Sequence, residues 1–157
     1  MDSITVRQAI AADLPILYQF EQYIIEAERP FDPTLKQEKT NYYDLQGMIS
    51  APNVFVAVAE FENKIIGSGY ARIEQSKTFV QHQQHAYLGF MFVLPAFRGK
   101  GVNRTIIETL QQWAESKNIF ELRLDVYHKN LSAIKAYEKF GFEKLMIEMR
   151  LGVRDQK

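Results

Sequence analysis

The sequence predicts an α/β (α+β) fold in one domain spanning residues 1–157. Three observations predict it. Segments with apolar residues at alternate positions interleave with segments at helical spacing, in the order β-α-α-β-β-β-α-β-α-β. The middle strands follow one another through short polar connections, which is an antiparallel half. The strands at 86–94 and 120–126 are separated by a helix, which is a βαβ crossover and therefore a parallel pair.

Each element has its own justification. Residues 3–8 alternate weakly and form a short first strand. Asp13 precedes Leu14-Pro15, an N-cap residue with proline in the first turn. Leu14, Leu17, Tyr18, Phe20, Ile24 and Ile25 continue that helix to Pro30. A second, polar helix is expected from Thr34 to Ile49. Val54, Val56 and Val58 mark a strand, and Glu62-Asn63-Lys64 a hairpin connection to the strand Ile65–Ile73. Gly67 and Gly69 inside it read as a bulge or a close packing contact. Val102, Ile106, Ile107, Leu110 and Trp113 make the stripe of a helix ending at Lys117-Asn118. Asn130 caps the next helix and Gly141 follows it. Phe142 to Leu151 is expected as a final strand.

Composition narrows the function. The 157 residues are 46% hydrophobic and 24% charged, which is ordinary globular composition. Net charge is zero, so the basic excess of a nucleic-acid binder is lacking. There is no cysteine, which excludes disulfides and thiolate zinc sites, and no metal is implied. The start MDSITVRQAI lacks the form of a signal peptide. No apolar run reaches the roughly 18 residues of a membrane span. A cytoplasmic protein acting without nucleic acid or membrane is the expectation.

The most informative stretch is VLPAFRGKGVNR, residues 93–104. A strand stops at Pro95, two glycines and three cations follow, and a helix begins. The first N–H groups of a helix have no partner within it, and the helix dipole is positive there. Arg98, Lys100 and Arg104 add full charges, and no Asp or Glu lies between Glu74 and Glu108. This is the composition of an anion site, most naturally for phosphate. Neither the Walker spacing nor GxGxxG is present: Val102 follows Gly101, and Arg104 stands where a third glycine belongs.

Val93-Leu94-Pro95-Ala96-Phe97-Arg98-Gly99-Lys100-Gly101-Val102-Asn103 resembles the acyl-CoA pyrophosphate loop of the GNAT superfamily of N-acetyltransferases, Arg/Gln-x-x-Gly-x-Gly/Ala. It departs at Asn103, which stands for Gly or Ala but keeps its N–H. Leu124-Asp125-Val126-Tyr127, Asn130, Ala133-Ile134 and Tyr137 to Phe142 resemble the family's second cofactor block. The resemblance covers roughly 50–150. It implies a central mixed, twisted sheet of six to seven strands flanked by about four helices.

The resemblance also implies roles. Acetyl-CoA, as co-substrate, is expected against Phe92, Val93, Arg98, Gly99, Lys100, Gly101, Val102, Asn103, Asn130 and Tyr137. Tyr137 is expected to donate a proton to the departing CoA thiolate, since a phenol is protonated at neutral pH. By periodicity alone, Tyr137 reads as an aromatic on the buried stripe beside Ala133 and Ile134, and it is the resemblance that gives it the donor role. Many family members carry a carboxylate as base at the position of Tyr87, and this strand has no acid. His85, His82 and Glu74 are the candidates, with His85 named as base, and water-mediated removal with no dedicated base is the alternative. Arg29, Phe31 and Tyr42, with Asp32 and Tyr43, are the candidate acceptor contacts. The acceptor is expected to be a small-molecule amine or a peptide, and a homodimer is compatible with the reading. A catalytically silent acyl-CoA sensor is the alternative.

Overall fold

The computed structural model describes residues 3–155. It divides into two compact units, Met1–Tyr127 and His128–Lys157.

The first unit is a five-stranded sheet in sequential order with helices on its faces. Its strands are β1 (Thr5–Gln8), β2 (Val54–Phe61), β3 (Lys64–Gln75), β4 (Gln84–Val93) and β5 (Leu122–Leu124). Pairing is antiparallel from β1 to β4, and β4 pairs β5 in parallel. The β2–β3 hairpin turns through Glu62 and Asn63, both at positive φ (50° and 64°), as a tight two-residue turn requires.

Helix α1 (Leu14–Glu28) carries proline in its first turn and buries Leu17, Phe20, Ile24 and Ile25. With α2 (Leu45–Ser50) it covers one face, over Val54, Val56, Val58, Tyr70, Phe90 and Phe92. Helix α3 (Val102–Ser116) covers β2 and β3 from the other side with Val102, Ile106, Ile107, Leu110 and Ala114. Trp113, expected on that stripe, is half-buried and packs on Phe55, with ring centroids 5.9 Å apart. The strand glycines are close contacts. A Cβ on Gly67 would stand 2.9 Å from the Phe92 carbonyl oxygen, and one on Gly69 2.9 Å from Ile106 Cγ2.

The polar helix expected over 34–49 shrinks to the six residues of α2. The cause is Glu21, 1% exposed on α1. Its Oε2 accepts from the backbone N–H groups of Tyr42 and Tyr43, both at 2.8 Å. Gln22 also donates to Thr40 O. Residues 40–43 therefore satisfy their backbone against α1 side chains, and the helix starts only after Asp44, which caps Gly47 N.

In the second unit, α4 (Leu131–Phe140) begins at Asn130, whose side chain accepts from Ala133 N at 3.3 Å, and closes at Gly141. The strand expected at 142–151 is not formed, because that segment has no ladder partner among the described residues. Among the described residues the sheet thus has five strands where six to seven were expected, with four α-helices where about four were expected.

Candidate active site

The site is built on β4. Before Phe90 this strand alternates normally: Leu88 pairs Ala71 and Gly89 pairs Tyr70. Then the register slips, because Gly69 alone faces the two residues Phe90 and Met91. Phe90 adopts φ 57°, and its carbonyl oxygen accepts from Ser68 Oγ at 2.9 Å. One extra residue inverts the alternation. Phe90 and Phe92 turn to the α1 face, with Phe92 stacked 4.7 Å from Phe20, while Met91 turns towards α3 beside Gly69.

The partner strand ends just before this slip. β4 and β5 pair only at Ala86–Leu122, Tyr87–Arg123 and Leu88–Leu124. Beyond Leu88, β4 runs on to Val93 with no strand paired on that side among the described residues. Leu94 N donates to Ile66 O on β3. Strand alternation therefore turns the Val93 peptide to the open edge. Its carbonyl oxygen is taken by Arg98 Nε at 2.9 Å.

The turn then delivers α3. Its N-cap is Gly101 at φ 82°, and no side chain caps the helix, unlike Asp44 on α2 and Asn130 on α4. Gly99 is also at positive φ (76°), and a Cβ on either glycine would meet nothing within 4 Å. The first-turn N–H groups thus have no side-chain cap. Arg98 and Lys100 are exposed above the rings of Phe92 and Phe97, and Arg104 pairs with Glu108. Val102 is buried and Asn103 half-buried.

A wall of tyrosines continues from β4. Tyr43, Tyr70 and Tyr87 follow one another with ring centroids 5.7 and 6.4 Å apart. Burial pushes the Tyr43, Tyr70 and Tyr87 hydroxyls upward, so they stay protonated. Arg72 lies over Tyr70 and Tyr87 and is held by Glu74 at 2.6 Å. Tyr87 donates to Asp125 Oδ2 at 3.2 Å. Tyr127 donates to Asp32 Oδ2 at 2.6 Å, and Phe31 packs on Tyr127. Tyr42 has a buried hydroxyl with no hydrogen bond of ordinary geometry; it interacts with Glu28, whose carboxyl burial pushes up.

The structure thus gathers Phe31, Asp32, Tyr42 and Tyr43 near one another. Arg29 instead turns to Glu26, at 2.9 Å. His85 has Nδ1 on Ser76 Oγ (2.8 Å) and Nε2 on Glu74 Oε1 (3.3 Å), so both nitrogens are engaged. His82 packs edge-on against it. In the second unit Tyr137 is half-buried, edge-on to Phe142. Sequence reasoning missed Ser68, Tyr70 and Asp125. Asp125 had one signal: it follows a strand parallel to its neighbour, and ligands gather at the carboxyl ends of such strands.

Residues 19–142 match the family model described as Acetyltransferase (GNAT) family. The chain belongs to the GNAT acetyltransferase family. GNAT relatives include aminoglycoside N(6')-acetyltransferase type 1 of Salmonella typhimurium, 34% identical over 58 residues. That match covers 37% of this chain and 40% of the Salmonella enzyme, so the chain spans well under half of that relative. The enzyme of the same name from Stenotrophomonas maltophilia is 25% identical over 89% of this chain and 86% of its own length. A predicted acetyltransferase from Clostridium acetobutylicum, solved with acetyl-CoA, shares the fold: TM-score 0.76, 18% identity, covering 98% of this chain and 99% of that one.

Acetyl-CoA is the co-substrate of GNAT acetyltransferases, and this chain's residues fit its pyrophosphate. The positions above Gly99 and Gly101 are open, no side chain caps α3, and Arg98 and Lys100 are exposed cations beside it, which is a composition that suits a pyrophosphate. Among the described residues no helix is long and apolar enough to cross a membrane.

Proposed function

We propose that this GNAT acetyltransferase moves the acetyl group of acetyl-CoA to a primary amine on a small molecule, with residues 1–157 acting as one domain. The observation that carries the proposal is the glycine-opened N-terminus of α3, reached through one short turn from a strand whose far edge is unpaired beyond Leu88 among the described residues. The family match runs across the boundary at Tyr127, which supports one working domain.

Bound acetyl-CoA supplies an activated acyl carbon with a thiolate leaving group. The chain's own residues do the rest. Backbone N–H groups of 98–103 hold the pyrophosphate. The Val93 peptide edge pairs the pantetheine amides once Arg98 releases its carbonyl. Tyr137 donates its phenolic proton to the thiolate, on the helix that Asn130 caps. Phe31 and Tyr42 border the acceptor, with Arg29 turned to Glu26, and aromatic faces with Glu28 and Asp32 favour a cationic one. His85 takes a proton only after its Ser76 or Glu74 contact opens. The small-amine reading draws support from the aminoglycoside acetyltransferases among the relatives.

The experiment is thiol release from acetyl-CoA by the purified chain across a panel of primary amines. Amine-dependent release is expected. Tight acetyl-CoA binding with no release for any amine overturns the transfer reading in favour of an acyl-CoA sensor, which the missing β4 carboxylate at Tyr87 would then explain.

A further inference from the structure

We propose that Asp125 is the carboxylate that seats the acceptor's amino group, with Tyr87 as the positioning residue that aims it. The inference rests on the acetyl-transfer reading above.

The position of Asp125 is fixed by the sheet. Leu88 and Leu124 are the last paired residues of β4 and β5, so Asp125 is the first residue after the strands part. The β4 peptides that follow on the opposite side, from Gly89 to Val93, form the open edge. Asp125 is level with Gly89, at the start of that edge, which runs on for about 13 Å to Val93 at about 3.3 Å per residue. A carboxylate there belongs to the mouth where amine and thioester meet.

Its bonding leaves it available. Oδ2 accepts from the Tyr87 hydroxyl at 3.2 Å. Oδ1 makes no hydrogen bond among the described residues, and Asp125 is exposed. Tyr87 occupies the strand position where a base was expected. It supplies no carboxylate itself, but it holds one delivered from the neighbouring strand. The nearby cation does not compete, because Arg72 is engaged by Glu74 through both Nε (2.9 Å) and Nη2 (2.6 Å). His85 has both nitrogens occupied.

The chemistry balances. The acceptor arrives as an ammonium ion, which a carboxylate binds by a charge-assisted hydrogen bond. A carboxylate with a reference pKa of about 3.9 does not deprotonate an amine of about 10.4, so the neutral amine forms by loss of a proton to water, or to His85 once its Ser76 or Glu74 contact opens. The nitrogen–carbon bond then forms and the carbon–sulfur bond breaks. The nitrogen becomes acidic as it bonds to the acyl carbon, and Asp125 takes its second proton. The products are a neutral amide and the CoA thiol, the latter protonated by Tyr137. Asp125 returns its proton to solvent and Tyr137 is reprotonated, so one proton is released per turnover.

The test uses the full chain, acetyl-CoA and whichever primary amine the wild type acetylates fastest in the panel. Asp125→Asn is expected to raise KM for the amine by about tenfold and lower kcat/KM by about 100-fold, with KM for acetyl-CoA unchanged. Asp125→Glu is expected to restore part of the loss, and Tyr87→Phe to raise the amine KM by a smaller factor. Wild-type kcat/KM in Asp125→Asn overturns this inference alone. A wild type that binds acetyl-CoA yet acetylates no amine overturns it together with the transfer reading.

Discussion

Ser68 donates its hydroxyl hydrogen to the carbonyl oxygen of Phe90, 2.9 Å away on the neighbouring strand, at the one place where β3 and β4 lose register. Ser68 is fully buried. A buried carbonyl released from the ladder by a bulge needs a donor, and this hydroxyl is it. The bond therefore maintains the inverted alternation that puts Phe90 and Phe92 on the α1 face.

Ser68→Ala is expected to cost about 1–2 kcal/mol in denaturant unfolding, because it leaves that carbonyl unpaired. It is also expected to weaken acetyl-CoA binding, since the open edge begins at the bulge. Isothermal titration with acetyl-CoA checks the second part. Unchanged affinity in a measurably destabilised variant would separate the bulge from the site.

Gly101 invites a graded pair of substitutions. Its φ of 82° makes any side chain costly by about 1 kcal/mol, although open space surrounds it. Gly101→Ala is expected to lower stability while leaving substantial CoA affinity. Gly101→Glu puts a negative charge on the anion site and is expected to abolish CoA binding in a folded protein. Equal affinity of Gly101→Glu and wild type, by the same titration, would remove the loop from the site.

Tyr137→Phe deletes the proposed proton donor and keeps the ring that packs on Phe142. Turnover is expected to fall about 100-fold with little change in KM for acetyl-CoA. Steady-state kinetics decide it, and an unaltered kcat would leave Tyr137 as packing alone.

Asp13 gives a pH signature independent of catalysis. The Arg7 guanidinium, 2.8 Å away, holds its carboxyl below the usual carboxylate range, and the Ile10 N–H adds to this. A depressed folded-state pKa contributes stability above the unfolded value, about 3.9, which is lost as pH falls below it. Arg7 is more than a third exposed, so solvent screening limits the effect to about 1 kcal/mol. The melting-temperature gap between wild type and Asp13→Asn is expected to be full above about pH 5 and to close as the solution is acidified. A gap constant down to pH 2 would contradict this.

What the sequence made legible was local. The Arg98–Asn103 loop follows from glycines and charges next to one another, and the cap at Asn130 from one side chain and its own helix. What it hid depends on partners far along the chain. The bulge lies within an apolar run, Phe90 to Leu94, in which every residue suits a strand. The shortened α2 depends on Glu21, a carboxylate whose burial no periodicity announces. Asp125 meets Tyr87 only because β5 lies parallel beside β4. The unformed strand at 142–151 shows that alternation does not make a strand where no neighbour completes the ladder.

The most direct test of the account is a thermal-shift titration of the purified chain with acetyl-CoA, CoA and ATP side by side. A ligand at about 100 times its Kd adds roughly 2.7 kcal/mol, which raises the melting temperature measurably. The account predicts a shift with both CoA forms and none with ATP. No shift with any of the three, or an equal shift with ATP, would contradict the assignment of the Arg98–Asn103 turn to acetyl-CoA.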